Sequence, residues 1–222
     1  MENNKLKDFE IEELELMIPQ IEKMYNFEFE KDKTIIVNSF EELCDLIIEK
    51  INLKNIESCT SQQAFYKLRN SFAETQIIEK ENLNTETPLK ILFPRKNRKS
   101  LIAKVERNIK FKLDILKAPD FITKSLFVIA AISFLLLFIY SGIGIIGIAT
   151  SIFGAYLCKW FGNELKIETV KELVEKITAE NYLAVRTEEN TINKTELKKV
   201  LTNWISENLG IEKERLKTAT LV

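Results

Sequence analysis

SLFVIAAISFLLLFIYSGIGIIGIATSIFGAYLC, residues 125 to 158, is a run of 34 side chains without one charge. It is too long for the core helix of a soluble domain. A bilayer core of about 30 Å is crossed by roughly 20 residues at about 1.5 Å each, so a single helix would overshoot and two of about 16 residues would fall slightly short. The middle of the run decides between them. Tyr140-Ser141-Gly142-Ile143-Gly144 puts two helix-weakening glycines and a serine halfway along, where a tight reversal is needed. The reading is a two-helix transmembrane hairpin turning at Gly142 and Gly144. Gly147, Ser151 and Ala155 at four-residue spacing let the second helix approach Ala130 and Ala131 of the first. A single long tilted helix and a buried soluble hairpin are the alternatives.

Working outward, the flanks carry charge of one sign. Residues 90 to 124 hold Lys90, Arg95, Lys96, Arg98, Lys99, Lys104, Arg107, Lys110, Lys112, Lys117 and Lys124 against Glu106, Asp114 and Asp120. The short central loop has none. Basic residues stay on the cytoplasmic side, so the expected topology is a multi-pass protein of the cell inner membrane with both termini cytoplasmic. Phe121, Tyr156, Trp160 and Phe161 stand near the inner boundary, where amphipathic rings are favoured. The first apolar block begins past residue 120, so no N-terminal signal peptide is expected.

Across all 222 residues there are 32 basic and 33 acidic side chains, three Cys and no His. Without imidazole there is no Ser-His-Asp or Cys-His pair, no H-E-x-x-H metal site and no His proton shuttle. Cys44, Cys59 and Cys158 are too few and too scattered for a disulfide framework or a zinc site. No catalytic, cofactor-binding or metal-ligating residue is assigned, and the protein is read as a non-enzyme. Cys44 falls on an apolar helix face and is read as packed core.

The remainder reads as all-α. Residues 1 to 50 hold 14 Asp and Glu against 6 Lys. Ile11, Leu14, Leu16, Ile18, Ile21, Met24 and Tyr25 form a helix-period apolar face interrupted by Pro19. Asn38-Ser39-Phe40-Glu41-Glu42 resembles a helix N-cap with acids in the first turn, followed by Leu43, Leu46, Ile47 and Ile51 on one face. A further helix opens at Thr60 or Ser61 and carries Phe65, Leu68 and Phe72.

An internal repeat links distant parts of the chain. Residues Leu68 to Thr87, LRNSFAETQIIEKENLNTET, align without a gap on Leu201 to Thr220, LTNWISENLGIEKERLKTAT, with 10 of 20 positions identical. Each copy is an amphipathic helix, a polar break, one apolar Leu (Leu83 or Leu216) and a Thr-x-Thr turn.

The second copy resembles the first helix and following loop of an acyl carrier protein. In that family the loop runs on to an Asp-Ser-Leu motif. Here the N-terminus is similar to what comes next: Asp8 to Leu16 to the start of the second helix, Gln20 to Glu30 to its acidic end, and Val37 to Ile47 to the last helix. The resemblance implies five stretches. Residues 1–57 supply the second to last helices of one module, and 58–118 form a second, divergent and basic unit. Residues 119–161 form the hairpin, 162–192 an amphipathic linker, and 193–222 the first helix and loop that complete 1–57. A carrier needs a Ser at the start of the second helix to hold phosphopantetheine, and residues 1 to 38 contain no Ser. Degenerate modules without a cofactor are therefore expected, with Ser100 the one imitation of the attachment site.

Function follows as a non-enzymatic membrane protein that presents such modules at the cytoplasmic face for protein contact. An immunity-type or toxin-related protein acting through its hairpin is one alternative, and a membrane-tethered acyl carrier in lipid or polyketide assembly another. The basic cluster Arg95, Lys96, Arg98, Lys99, Lys104 and Arg107 is the candidate site, for anionic headgroups or for docking on the acidic Asp8–Glu15 segment. Membrane lipids, a protein partner and a second copy completing the module are the expected partners. Nucleic acid is not, since no aromatic stacking surface accompanies the charges.

Overall fold

The computed structural model describes residues 5–29 and 37–221. In chain order these form α1 (Asp8–Tyr25), α2 (Phe40–Ile51), β1 (Lys54–Asn55), α3 (Thr60–Glu74), a 3-10 turn (Lys80–Asn82), α4 (Leu89–Leu92), α5 (Arg98–Ile109), β2 (Leu116–Lys117) and α6 (Asp120–Leu136). They continue with α7 (Ser141–Phe161), β3 (Glu164–Leu165), α8 (Val170–Glu180), α9 (Tyr182–Val185), β4 (Thr191–Ile192), α10 (Lys194–Leu209) and α11 (Lys213–Lys217). The molecule is predominantly helical, as expected. Its two-residue strands pair only to pin chain crossings. Two units divide it, one of residues 1–70 and 171–222 and one of residues 71–170.

In the first unit both ends of the chain share one core. Leu14, Ile21 and Tyr25 of α1, Phe40, Leu43, Cys44 and Ile47 of α2, and Leu197, Leu201, Trp204 and Ile205 of α10 belong to a single buried cluster. Full burial of each large apolar side chain stabilises by about 1.5–3 kcal/mol. Local chemistry sets the helix limits. Ser39 Oγ accepts the Glu42 N–H at 3.2 Å and starts α2, and Asn52 closes it in the left-handed region at φ 45°. Glu10 accepts the Lys7 N–H at 2.8 Å at the start of α1. α1 runs unbroken through Pro19, which stands on its exposed side. There water can satisfy the carbonyl that loses a partner. Leu16, expected on the buried face, is 80% exposed, because Leu14, Ile21 and Tyr25 set that face. β1 pairs in parallel with β4, Lys54 opposite Thr191 and Asn55 opposite Ile192.

The second unit has its own buried side chains, among them Phe72, Leu89, Leu92, Phe93, Ile102 and Val105. Phe72 and Phe93 meet edge-on with ring centroids 5.7 Å apart. α6 and α7 rise from this unit and pack along one seam. Ser133 of α6 and Gly144 and Ser151 of α7 are buried on it. Elsewhere their large side chains face outward, Phe127 at 76%, Phe138 at 79% and Ile146 at 68% exposed. At their foot β2 and β3 pair antiparallel, Leu116 opposite Leu165 and Lys117 opposite Glu164.

Two expectations about this segment change. The reversal falls on residues 137–140, and Gly142 and Gly144 stand in the first turn of α7. Gly144 is needed there for close approach rather than for turning: a Cβ would lie 2.7 Å from the Leu137 backbone N, whereas at Gly142 it would meet nothing. Among the described residues, α7 alone is long and apolar enough to cross a membrane by length and composition. α6 has 17 residues, and its first turns contain Asp120 and Lys124.

Residues 162–192, read from the sequence as an amphipathic linker, contain β3, α8, α9 and β4, and α8 reveals a further part of the repeat. Phe40 N–H donates to Ala219 O at 3.1 Å and Leu221 N–H to Asn38 O at 2.9 Å, bracketing Ser39 and Thr220. Val170 N–H donates to Thr87 O at 3.1 Å and Leu89 N–H to Glu168 O at 2.8 Å, bracketing Thr169 and Pro88. Each reciprocal pair fastens the loop after a repeat helix to the start of a helix remote in the chain, α2 in one copy and α8 in the other. α2 and α8 also correspond, with Glu42, Leu43 and Ile47 matched by Glu172, Leu173 and Ile177. Leu43, Ile47, Leu173 and Ile177 are all buried. In the copy that begins at Leu68, α6 and α7 are carried in the connection between α5 and α8.

Candidate functional site

The basic segment is folded against the C-terminal end of α7. Phe93 is buried and ends α4, so the chain turns through Pro94 and re-enters helix at Arg98. Arg98 itself is only 8% exposed. Its Nε donates to Phe93 O at 2.9 Å and its Nη1 to Asn163 O. Asn163 Nδ2 in turn donates to Arg95 O at 3.0 Å. Burial, with Arg95 nearby, holds the Arg98 guanidinium below its usual value, yet an arginine stays charged. Arg98 is thus a buried staple between the basic loop and the segment leaving α7.

Lys99 lies one residue on and points the other way. Its Nζ donates to Trp160 O at 2.9 Å and lies 5.9 Å from the Phe161 ring centroid. A cation at the last carbonyls of a helix satisfies an orphan acceptor and opposes the negative end of the dipole. Arg95 and Lys96 are exposed on the loop beside it. Lys104 and Arg107 are exposed as well, but they share a shallow depression with Glu74 and Asn108. Five to eight residues separate them from Lys99, or about 8–12 Å along α5. The six predicted residues therefore divide into one structural arginine, three cations at the foot of α7, and two farther along α5. Ser100 is exposed in the first turn of α5.

The predicted packing residues divide too. Gly147 meets Ser133, whose Oγ and Cβ occupy the space a Cβ would need. Ser151 is 6% exposed and bonds its own Gly147 carbonyl at 2.9 Å. Ala155 faces outward. The seam continues through Gly154, where a Cβ would lie 2.7 Å from Leu126 Cδ2. Four-residue spacing missed Gly154 because a helix face drifts and alternates three- and four-residue steps.

In the first unit α1 presents a second surface. Phe9 is 56% exposed and Leu16 80%, with Glu12, Glu13 and Glu15 exposed between them. The start of α1 is committed elsewhere. Glu10, 6% exposed, receives Arg215 Nη1 at 2.9 Å and Nη2 at 2.8 Å in a bidentate pair with α11. The Arg215 guanidinium holds the Glu10 carboxyl below the usual carboxylate range. A groove of about 710 Å³ between α2 and α10 has Cys44 in its floor. Burial pushes that thiol up to about 12, so it is inert as a nucleophile at neutral pH.

Sequence reasoning missed Asn163 and read Trp160 only as a boundary aromatic, whereas their backbone carbonyls hold the basic segment; no side-chain pattern marks a carbonyl acceptor. It missed the outward Leu16 because a helix-period face was drawn too wide. No protein-family model, no curated protein and no solved structure matches this chain.

Proposed function

We propose that this chain is an inner-membrane protein, anchored by α6 and α7, that presents degenerate acyl-carrier-like helices to a protein partner on the cytoplasmic side. The outward apolar surface of the helix pair carries the reading. α6 and α7 bury only the seam between them and turn phenylalanine, isoleucine and leucine side chains away from it along their length. In water that surface would far exceed the apolar patches soluble monomers expose, and in hydrocarbon it costs nothing. α6 reaches the required span with its own first turn at the interface, where Lys124 can extend its stem toward headgroups. Arg95, Lys96 and Lys99 at the foot of α7 favour the cytoplasmic side for that end.

The binding role rests on α1. Its exposed face combines Phe9 and Leu16 with three glutamates, which suits a partner surface of apolar and basic character. The Asp8–Leu16 stretch that resembles the start of a carrier's second helix has no Ser to hold a prosthetic group, and its Glu10 is occupied by Arg215.

Native Cys59, exposed in the described structure, gives a direct test of topology. In a Cys158→Ala background it is expected to resist a membrane-impermeant maleimide in intact cells and react after permeabilisation. Tyr140→Cys, in a chain lacking Cys59 and Cys158, is expected to react from outside. Labelling of Cys59 in intact cells, or release of the chain by alkaline carbonate, would overturn the reading. For the partner, a photo-crosslinking residue at Leu16 in living cells should give one discrete adduct, lost on Glu12→Lys with Glu13→Lys. No adduct at Leu16 or Phe9 would rule out binding through α1.

A further inference from the structure

An open groove of about 750 Å³ runs along one side of the α6–α7 pair, inside the second unit. Small side chains, Ala130 of α6 with Ser151 and Ala155 of α7, form its floor, and Phe127 and Ile152 stand as walls. On α6 its lining runs from Thr123 to Ala130, seven residues of helix or about 10 Å, about a third of the roughly 30 Å hydrocarbon core. An open groove of that length, lined on α6 and α7 mainly by apolar side chains, can take part of one acyl chain within one leaflet.

Its mouth is charged. Lys117 and Lys166 line it together with Asp114. Lys166 Nζ pairs with Asp114 Oδ2 at 3.0 Å and Lys117 Nζ with Asp120 Oδ1 at 2.9 Å. All four side chains are at least 39% exposed, so these pairs are weak and exchangeable. An anion alone would meet the carboxylates, and a cation alone the ammonium groups. A headgroup carrying both a phosphate and an ammonium complements the set.

We propose that this groove binds a diacyl phospholipid with a primary ammonium headgroup, its phosphate at Lys117 and Lys166, its ammonium at Asp114 and one acyl chain along Ala130 and Ala155. The inference rests on α6 and α7 lying in a bilayer. Occupancy fills the space beside the seam that the small side chains leave open, and it fixes the depth of the helix pair relative to β2 and β3.

Native mass spectrometry of the full chain, released from detergent containing equal amounts of phosphatidylethanolamine, phosphatidylglycerol and phosphatidylcholine with identical acyl chains, tests it. The ethanolamine lipid should be retained at least threefold over the other two. Ala155→Phe and Ala130→Phe, which fill the floor, should each cut retention about tenfold. Asp114→Asn should abolish the preference and leave total retention unchanged; the site has φ 44°, which Asn adopts readily. Equal retention of all three lipids, undiminished retention in both Phe variants, or a lipid-free dimer that covers this face overturns the site. If the wild-type chain resists carbonate extraction while any of these is seen, only the lipid site falls. If carbonate extracts it, the membrane reading falls and the site with it.

Discussion

Glu10 and Glu196 are carboxylates that hold backbone at helix starts, and both act between segments far apart in the chain. Glu196 is fixed by geometry as well as charge: its Oε2 accepts the Thr60 N–H at 2.7 Å and its Oε1 the Ser61 N–H at 3.0 Å. Burial opposes its charge, but these donors outweigh that cost and hold the carboxyl below its ordinary range. Beside it Arg186, 5% exposed, donates to Thr60 Oγ1 at 2.8 Å, Ser58 Oγ at 2.8 Å and Thr191 Oγ1 at 2.9 Å. Because both Glu10 and Glu196 titrate lower in the folded state, their contribution is complete above the ordinary carboxylate pKa of about 4.3 and is lost as pH falls through the folded values. Glu196→Gln should therefore cost about 1 kcal/mol at pH 7 and, with Glu10→Gln, flatten the loss of stability below about pH 4.3. Urea unfolding of the full chain in mild detergent, read from buried Trp204 in a Trp160→Phe background, measures both.

At the scale of elements, close approach and not conformational freedom explains Gly144, Gly147 and Gly154 of α7. A side chain at Gly147 must displace Ser133, whereas one at Gly142 enters open space. Gly147→Leu is expected to separate α6 from α7 and lower the melting temperature by several degrees. Gly142→Ala should leave it unchanged or raise it slightly, since Ala favours helix by up to about 1 kcal/mol. A disulfide engineered between positions 126 and 154, where the seam is tight, should form in the Gly142→Ala chain and fail in the Gly147→Leu chain. The sequence already marked α2, with Ser39 as N-cap and Leu43 and Ile47 inward, because a cap and a 3.6-residue period are local signals. It marked the position of the reversal less well. A break in an apolar run says that a turn is near, but which residues turn depends on how the two helices pack.

Over the whole molecule, the first unit is a core assembled from both ends of the chain, and its stability is expected to be indivisible. Leu201 is fully buried in the cluster that contains Ile47 and Ile21. Leu201→Ala should cost about 2–5 kcal/mol and raise hydrogen exchange in α1 and α2 together with α10. Loss of protection in α10 alone would show that the ends fold separately. The ten identities between residues 68–87 and 201–220 were legible in the sequence. The correspondence of α2 with α8 was not, since three identities across eight positions become meaningful only when reciprocal hydrogen bonds align Thr169 with Ser39. Likewise, six cations in sequence looked like one patch, and packing buried Arg98 while leaving the rest in two groups. By itself the sequence determined what periodicity and composition can encode: the helices, their caps, the long apolar run and the charge beside it. Only the tertiary structure decided which faces are inward, which basic residue is a staple and which distant segments meet. Those outcomes depend on competition for a limited interior between groups remote along the chain, and no local pattern records who wins.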